Sequence, residues 1–142
     1  MGDLPKHSVS VAGVVTDQDG RVLIVQRRDN AHWEPPGGVL ELTETPEEGV
    51  IREVLEETGV QIRVNNLSGV YKNMRRGVIA LVFRCEAIGG NPRPTIESLT
   101  VEWVQPEEVQ NRMAPAYAIR VLDAYSENLA SRAHDGHNLY EE

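Results

Sequence analysis

Two runs of β-branched residues near the N-terminus predict a β-hairpin. They extend from Val9 to Val15 and from Val22 to Val25, and the segment DQDG between them contains the strong turn signal Asp19-Gly20. The next stretch, DNAHWEPPGG at 29–38, has consecutive prolines and glycines, and it predicts a loop without regular structure.

The most clearly bounded predicted element is a helix over 46–58. Thr45 can cap its amino end, Pro46 suits the first helical position, and Glu48 completes a capping box. Gly59 is placed to end the helix. Apolar residues at helical spacing predict one buried stripe, formed by Ile51, Val54, Leu55 and Thr58.

The rest of the chain alternates between apolar runs and turns. It predicts strands over 61–71, 77–87 and 99–104, and the second is apolar enough to lie at the centre of a sheet. A short helix is expected over 106–113 and a longer amphipathic one over 115–132. The longer helix has four candidate buried positions: Tyr117, Val121, Leu122 and Tyr125.

This order of elements predicts an α/β (α+β) layered domain, a mixed sheet with helices packed on it. We expect one domain over 1–130, followed by a polar, flexible tail over 131–142. His134 and His137 in that tail are not expected to form a metal site, because nothing rigid is expected to hold them.

Composition then narrows the classes of function. A net charge of −8 argues against binding to nucleic-acid polymers, because it implies no basic patch that would neutralise phosphates. No apolar run reaches the length of about 18 residues that a membrane span requires. The N-terminal MGDLPKHSVS lacks the apolar stretch of a signal peptide, and Cys85 is the single cysteine. We therefore expect a cytoplasmic protein with no membrane partner.

One side of the predicted helix carries three carboxylates. At about 100° per residue, Glu53, Glu56 and Glu57 share a face that the apolar stripe does not occupy. Like charges at this spacing repel, whereas hard divalent cations prefer carboxylate oxygens as ligands. A solvated acidic surface is the alternative. Gly37 and Gly38 ahead of the helix would let a carbonyl or a phosphate come close, which favours a metal site.

These residues resemble the signature of the Nudix hydrolases. The signature is Gly, five residues, Glu, seven residues, Arg-Glu, an aliphatic residue, any residue, Glu-Glu, any residue, Gly and an aliphatic residue. The matching positions are Gly38, Glu44, Arg52-Glu53, Val54, Glu56-Glu57, Gly59 and Val60. Flanking segments extend the resemblance over roughly residues 8–125, and it implies an α/β/α sandwich.

The resemblance also implies hydrolysis of a nucleoside diphosphate linked to another group, by water and Mg²⁺ or, in its place, Mn²⁺. The implied metal ligands are the carbonyl of Gly38 and the carboxylates of Glu53, Glu56 and Glu57. Arg52, counted with the catalytic group, would pair with Glu44 and hold the loop to the helix.

For two further roles, the general base and the binding of substrate, the resemblance implies several candidate residues. Glu53, Glu56 and Glu97 are the candidates for the general base. The candidate substrate-binding residues are Arg28, Arg27, Gly37 and Trp33. Of the two arginines, Arg28 aligns better with the family's phosphate-binding arginine.

The marks of the family's substrate subgroups are mostly absent. The proline of ADP-ribose hydrolases falls on Arg76, and the tyrosine of diadenosine polyphosphate hydrolases falls on Gly77 or Val78. By elimination we expect a monomer or homodimer that converts a nucleoside triphosphate to a monophosphate and pyrophosphate. An ADP-ribose, ADP-sugar or dinucleoside polyphosphate hydrolase is the alternative, and a non-catalytic nucleotide-sensing module is the third. Pro35 stands where phenylalanine or leucine is common, so specificity for oxidised guanine is not assumed.

Overall fold

The computed structural model describes residues 2–140 of the chain. Within this range eight strands and three α-helices follow one another, with one 3₁₀ turn at Pro106–Glu108. The elements are β1 (Ser8–Thr16), β2 (Val22–Arg27), β3 (Trp33–Glu34), β4 (Gly37–Val39), α1 (Pro46–Thr58), β5 (Val60–Asn73), β6 (Val78–Gly90), β7 (Ser98–Val104), α2 (Val109–Arg112), α3 (Pro115–Ala124) and β8 (Ala130–His134).

The strands form a mixed sheet in the order β3-β2-β1-β6-β5-β8, with β4 paired to β1 and β7 paired to β2. β1 runs parallel to β6, from Ser8 opposite Val78 to Thr16 opposite Glu86. β5 and β6 form a long antiparallel hairpin, and β8 adds parallel to β5. β6 therefore lies between two strands near the centre of the sheet, which confirms the position predicted from its apolar sequence.

Helices cover both faces of the sheet and give it two separate cores. The residues that bury the α1 face include Val50, Val54, Val11, Leu23 and Phe83. The residues that bury the opposite face, under α2 and α3, include Val109, Ala118, Val121, Ile24 and Tyr71. Each fully buried side chain of this size stabilises the fold by about 1.5–3 kcal/mol. The predicted α/β/α sandwich is confirmed.

Helix α1 has the bounds that its sequence predicts. The Thr45 hydroxyl accepts the N–H of Glu48 at 3.2 Å, and the Glu48 carboxylate accepts the N–H of Thr45 at 2.8 Å. Gly59 ends the helix with φ +79°, a left-handed conformation that favours glycine. The termini of α1 are thus determined by local side-chain chemistry.

The predicted buried stripe of α1 is wrong in part. Ile51 and Leu55 are 41% and 43% exposed. The helix is rotated so that Val50 and Val54 reach the core, and Glu53 and Glu57 are buried beside β4. The carboxylates of α1 therefore lie partly inside the protein, which a simple amphipathic pattern does not anticipate.

The predictions for the C-terminal region need correction. α3 ends at Ala124, not near residue 132. The guanidinium of Arg84 donates hydrogen bonds to the carbonyl oxygens of Ala124, Ser126 and Asn128, and so holds this segment out of the helix. Tyr125, expected to be buried, is 49% exposed. The chain then turns back into the sheet.

The predicted flexible tail over 131–142 is wrong for residues 131–134, which belong to β8. This strand pairs with β5 from Gly69 opposite Ala130 to Asn73 opposite His134. His134 is fully buried and rigidly held, whereas His137 is exposed. Residues 141 and 142 lie outside the described part of the chain.

The predicted loop over 29–38 also contains regular structure, because β3 and β4 form two short antiparallel pairings with β2 and β1. None of the helices within residues 2–140 is long and apolar enough to cross a membrane.

Candidate active site

The double glycine lies directly against the carboxylate face of α1. Gly37 pairs with Ala12 and Gly38 pairs with Val11, and the Gly37 N–H donates to Glu57 Oε1 at 2.6 Å. A Cβ at Gly37 would lie 2.2 Å from the Val11 carbonyl oxygen, and one at Gly38 would lie 2.4 Å from Glu53 Oε2. At Gly37 the backbone of β1 leaves no room for a side chain, and at Gly38 a side chain would have to displace the Glu53 carboxylate.

Arg52 connects the carboxylates to the loop. Its Nε and Nη2 donate to the two oxygens of Glu44 at 2.9 and 2.6 Å. Its Nη1 donates to Glu53 Oε1 at 2.8 Å and to Glu56 Oε2 at 3.2 Å. Because the guanidinium donates a bidentate pair to Glu44, the pKa of that carboxyl falls to about 2. The structure thus brings together the predicted Arg52–Glu44 pair beside the predicted metal ligands.

The acidic side chains differ in burial and in charge balance. Glu53 and Glu57 are 9% and 6% exposed, whereas Glu56 faces solvent. Burial raises the pKa of Glu57 to about 8; the Gly37 N–H opposes this shift, and the negative charges of Glu34, Glu53 and Glu97 add to it. Burial also raises the pKa of Glu53, against the opposing effect of Arg52. The site is therefore an acidic cluster with two buried carboxylates, of which Glu57 forms no ion pair within residues 2–140.

This donor set fits a divalent cation. Carboxylate oxygens are the ligands that Mg²⁺ and Mn²⁺ prefer, and a cation would stabilise the ionised forms that burial, together with the neighbouring carboxylates, disfavours. Among the described residues, no three acidic, histidine or cysteine side chains already converge on one point. Glu53 and Glu56 are turned toward Arg52, and Glu57 is turned toward the Gly37 N–H. Joint coordination therefore requires rotation of these side chains.

Glu97 lies on a loop that borders the acidic face. Its negative charge contributes to the raised pKa values of Glu53 and Glu57. The next residue, Ser98, donates its hydroxyl hydrogen to the Glu57 carbonyl at 3.1 Å. The structure thus brings the predicted Glu97 close to the acidic face of α1.

Two predicted substrate-binding residues, Arg28 and Trp33, do not line the cavity that opens beside β4. The guanidinium of Arg28 donates to the carbonyls of Ile96 and Ser98, each at 3.1 Å, and so holds the loop that carries Glu97. The ring of Trp33 lies under the guanidinium of Arg112, 4.8 Å from its central carbon, and packs on the α3-side core. Both side chains are therefore engaged in supporting contacts.

A cavity of about 290 Å³ opens beside β4. One end is lined by Gly37 and Gly38, and the other by Tyr117, Arg120 and His134. A second hollow, of about 430 Å³, shares several of its walls. The residues common to both are Arg27, Glu34, Asn73, Arg76 and Tyr117.

Arg27, rather than Arg28, is the arginine of this pair that faces the cavity. Its guanidinium pairs with Asp29 at 2.7 Å and with Glu34 at 3.1 Å. The sequence interpretation missed Tyr117, Arg120 and His134 as cavity residues. One signal was available: Arg120 stands at helical spacing from Tyr117 on the side of α3 that was expected to be buried, where an unpaired charge is costly.

Comparisons with known proteins identify a family model, a curated relative and a solved structure that resemble this chain. The NUDIX domain model matches residues 6–125 of the chain. A MutT-like protein of Streptomyces ambofaciens is 58% identical over 136 residues, which cover 95% of this chain and 88% of that protein. The solved structure of a NUDIX hydrolase from Nitrosomonas europaea has a TM-score of 0.79 at 21% identity, over 93% of this chain and 82% of that one. That likeness shows the same fold.

Two shorter matches carry more specific names. An ADP-ribose pyrophosphatase of Methanocaldococcus jannaschii is 39% identical over 90 residues, which cover 58% of this chain and 53% of that protein. An 8-oxo-dGTP diphosphatase of Proteus vulgaris is 46% identical over 55 residues, which cover 36% of this chain and 49% of that protein.

The fold and the site are those of a hydrolase of the pyrophosphate-cleaving class, in which a helix bearing carboxylates lies directly against a glycine strand that also lines a cavity. With the family model matching most of its length, the chain belongs to the Nudix hydrolases. It is an enzyme that hydrolyses pyrophosphate bonds, and members of this family generally use divalent metal ions.

Proposed function

We propose that this enzyme hydrolyses a nucleoside triphosphate to a nucleoside monophosphate and pyrophosphate, with Mg²⁺ as the metal. The observation that carries the proposal is one continuous cavity. It extends from the glycine strand against the acidic face of α1 to an aromatic and cationic wall at Tyr117 and Arg120. A phosphate chain would fit the first end, because the carboxylates next to it are proposed to hold the metal ion that neutralises phosphate. A nucleoside would fit the second end, which offers hydrogen-bond donors and an aromatic ring.

The roles proposed for individual residues follow from their contacts. Glu53, Glu56 and Glu57, with the Gly38 carbonyl, would hold the metal, whose chemistry is to neutralise the pyrophosphate and to acidify or position the attacking water. Glu97 lies within electrostatic reach of the buried carboxylates and is retained with Glu53 and Glu56 as a candidate general base.

Two arginines have distinct proposed tasks. Arg52 is a positioning residue, since it orients Glu44, Glu53 and Glu56 at once. Arg27 lines the cavity and is proposed to contact substrate phosphate when it exchanges one of its carboxylate partners for the ligand. The exposed Arg76 adds positive charge to the same rim, which offsets the overall net charge of −8 for an approaching anion.

Product identification tests the proposal. The protein is incubated with Mg²⁺ and a panel of ordinary and oxidised nucleoside triphosphates, ADP-ribose and a diadenosine polyphosphate, and the products are separated by chromatography. Glu57→Gln is the inactive comparison, and Glu47→Gln is the matched control, because Glu47 is an exposed carboxylate on the same helix. Monophosphate and pyrophosphate from a triphosphate, lost with Glu57→Gln and kept with Glu47→Gln, is the expected result.

Hydrolysis of ADP-ribose or of another dinucleotide-type substrate is the second candidate function. It is favoured by the match to the ADP-ribose pyrophosphatase of Methanocaldococcus jannaschii. Turnover of ADP-ribose in the panel, with triphosphates left intact, would replace the first proposal with this one. Nucleotide binding without turnover of any panel member would instead support a sensing module.

A further inference from the structure

Arg120 is a buried arginine that forms no ion pair within residues 2–140, although Glu34 on the wall of the same cavity attracts it electrostatically. It is 8% exposed, and among residues 2–140 no acidic side chain forms an ion pair with it. Its Nε is buried and has no hydrogen-bond partner in the same part of the chain. The acid three positions further along α3, Asp123, accepts from Tyr71 and Arg132 instead. Because a buried donor without a partner costs about 1–3 kcal/mol, such a group in a cavity wall suggests a ligand.

The other arginines show what this edge of a guanidinium binds. Arg27, Arg52 and Arg132 each use the same edge, formed by Nε and Nη2, to donate two hydrogen bonds to one carboxylate: Asp29, Glu44 and Asp123 respectively. In Arg120 this edge has an unused Nε, and its Nη2 lies 3.1 Å from Nε2 of His134. Within residues 2–140, no carboxylate accepts two hydrogen bonds from this edge.

The contact between Arg120 and His134 does not replace that partner. His134 Nδ1 accepts the N–H of Gly136 at 2.9 Å, so the hydrogen of the neutral imidazole is on Nε2. Burial, reinforced by the charge of Arg120, lowers the pKa of His134 to about 4, which keeps the ring neutral near pH 7. Nε2 and the Arg120 Nη2 are then both donors that face each other. Two donors at this distance need an acceptor to which both can point.

Aromatic rings hold the Arg120 guanidinium at the wall of the cavity. Its central carbon lies 4.6 Å from the ring centroid of Tyr117 and 5.2 Å from that of Tyr71. These contacts partly compensate the buried charge and restrict the guanidinium. Arg120, His134 and Tyr117 all line the cavity of about 290 Å³ whose other end is formed by Gly37 and Gly38.

We propose that Arg120 and His134 form a subsite for a substrate group that presents two adjacent hydrogen-bond acceptors, at the end of the cavity away from the acidic cluster. The guanidinium turns its Nε–Nη2 edge toward the ligand, and His134 adds a third donor. Two sources have this chemistry: the O6 and N7 edge of a guanine base, and two oxygens of a phosphate group. This inference rests on the proposed function for the identity of the ligand as a nucleotide.

Calorimetric binding of nucleoside monophosphates with Mg²⁺ tests the subsite without any hydrolysis. The ligands are GMP, 7-deaza-GMP, which lacks the N7 acceptor, AMP, and inorganic phosphate. The proteins are the wild type, Arg120→Gln, Arg120→Lys and the control Arg112→Gln. Arg112 is a fitting control because it also stacks on an aromatic ring but does not line the cavity.

Each source predicts its own pattern. If guanine is the ligand group, the wild type binds GMP about tenfold more tightly than 7-deaza-GMP, and both Arg120 variants remove that difference. If phosphate oxygens are the ligand group, all three monophosphates bind alike, each loses about tenfold with Arg120→Gln, and inorganic phosphate competes with them. Arg112→Gln is expected to behave as the wild type in both cases.

The proposal is overturned if folded Arg120→Gln keeps every affinity within about twofold of the wild type. If both Arg120 variants fail to fold, the Nε–H resonance of Arg120 in wild-type ¹⁵N spectra takes their place. It is expected to move on addition of GMP, and an unchanged resonance in a saturated sample rejects the subsite. These outcomes are separate from those of the product assay. If the wild type cleaves triphosphates but the Arg120 variants bind every ligand with unchanged affinity, the subsite is rejected and the proposed function stands.

Discussion

Replacing Gly38 with alanine separates the chemistry of the site from the stability of the fold. The new Cβ would lie 2.4 Å from Oε2 and 2.8 Å from Oε1 of Glu53. An ordinary contact of this kind begins near 3.4 Å, so the carboxylate must retreat by about 1 Å. It is the end of a side chain, and so it can move without disturbing the sheet, but it then leaves the position in which Arg52 Nη1 holds it at 2.8 Å.

The expected consequence is a folded but nearly inactive protein. A displacement of about 1 Å at a reacting centre costs about 100-fold in rate. We expect kcat/KM to fall by about that factor and Mn²⁺ affinity, measured by electron paramagnetic resonance, to fall with it. The free energy of unfolding in urea should change by no more than about 1–3 kcal/mol, the usual cost of an added methyl group.

Two further glycines make the test specific. Gly37→Ala would place its Cβ 2.2 Å from the Val11 carbonyl oxygen, which is backbone, so this variant should lose stability first. Gly89→Ala meets the flexible end of the exposed Gln61 at 2.7 Å, far along the sheet, and should match the wild type in both assays. Full activity and metal affinity in Gly38→Ala would refute the assignment of Glu53 to the metal site.

Four other substitutions test three separate parts of the structure. Arg52→Lys keeps the charge but loses the bidentate grip on Glu44, so steady-state kinetics should show kcat/KM lowered by about 10–100-fold; an unchanged value argues against its positioning role. Because the folded state lowers the pKa of His134 to about 4, the cost of protonating this residue is absent above about pH 6.5 and grows to as much as ~3 kcal/mol as pH falls through 4. In urea unfolding, the stability of the wild type relative to His134→Gln should therefore decrease over this pH range, and a constant difference contradicts this. Arg27→Gln should raise KM severalfold, whereas Arg28→Gln should leave KM unchanged and speed proteolysis of the 95–98 loop; the reverse pattern would restore Arg28 as the phosphate contact.

Much of the fold could be predicted from sequence because its signals are local. The bounds of α1 depend on Thr45, Glu48 and Gly59, whose contacts span at most four residues. The end of α3 could not be predicted in this way. It depends on Arg84, a residue 40 positions earlier, whose guanidinium donates a hydrogen bond to the carbonyl oxygen of Ala124 at 2.8 Å. A longer helix was compatible with the local pattern, and the tertiary contact decided against it.

The same distinction applies to the site. The spacing of Glu53, Glu56 and Glu57 on one helix can be read from the chain, since helical geometry alone places them together. The far wall of the cavity is built differently. Arg120 comes from α3 and His134 from β8, and they meet only because β8 adds to the sheet beside β5. A segment that appears polar and loose in sequence therefore supplies a fully buried side chain.

The distribution of charge in the cavity explains how an acidic protein can receive an acidic substrate. The net charge of −8 is an average over the whole surface, whereas the cavity separates its charges. The carboxylates of α1 lie beside Gly37 and Gly38, next to the cavity but outside its lining, whereas three arginines line its walls: Arg27, Arg76 and Arg120. A nucleotide bound in the reverse direction would bring its phosphates past Arg120 but leave the acidic cluster without a cation-bridged partner. If the proposed function holds and guanine is the group bound at Arg120, this order of charges favours the orientation that places the phosphates beside α1.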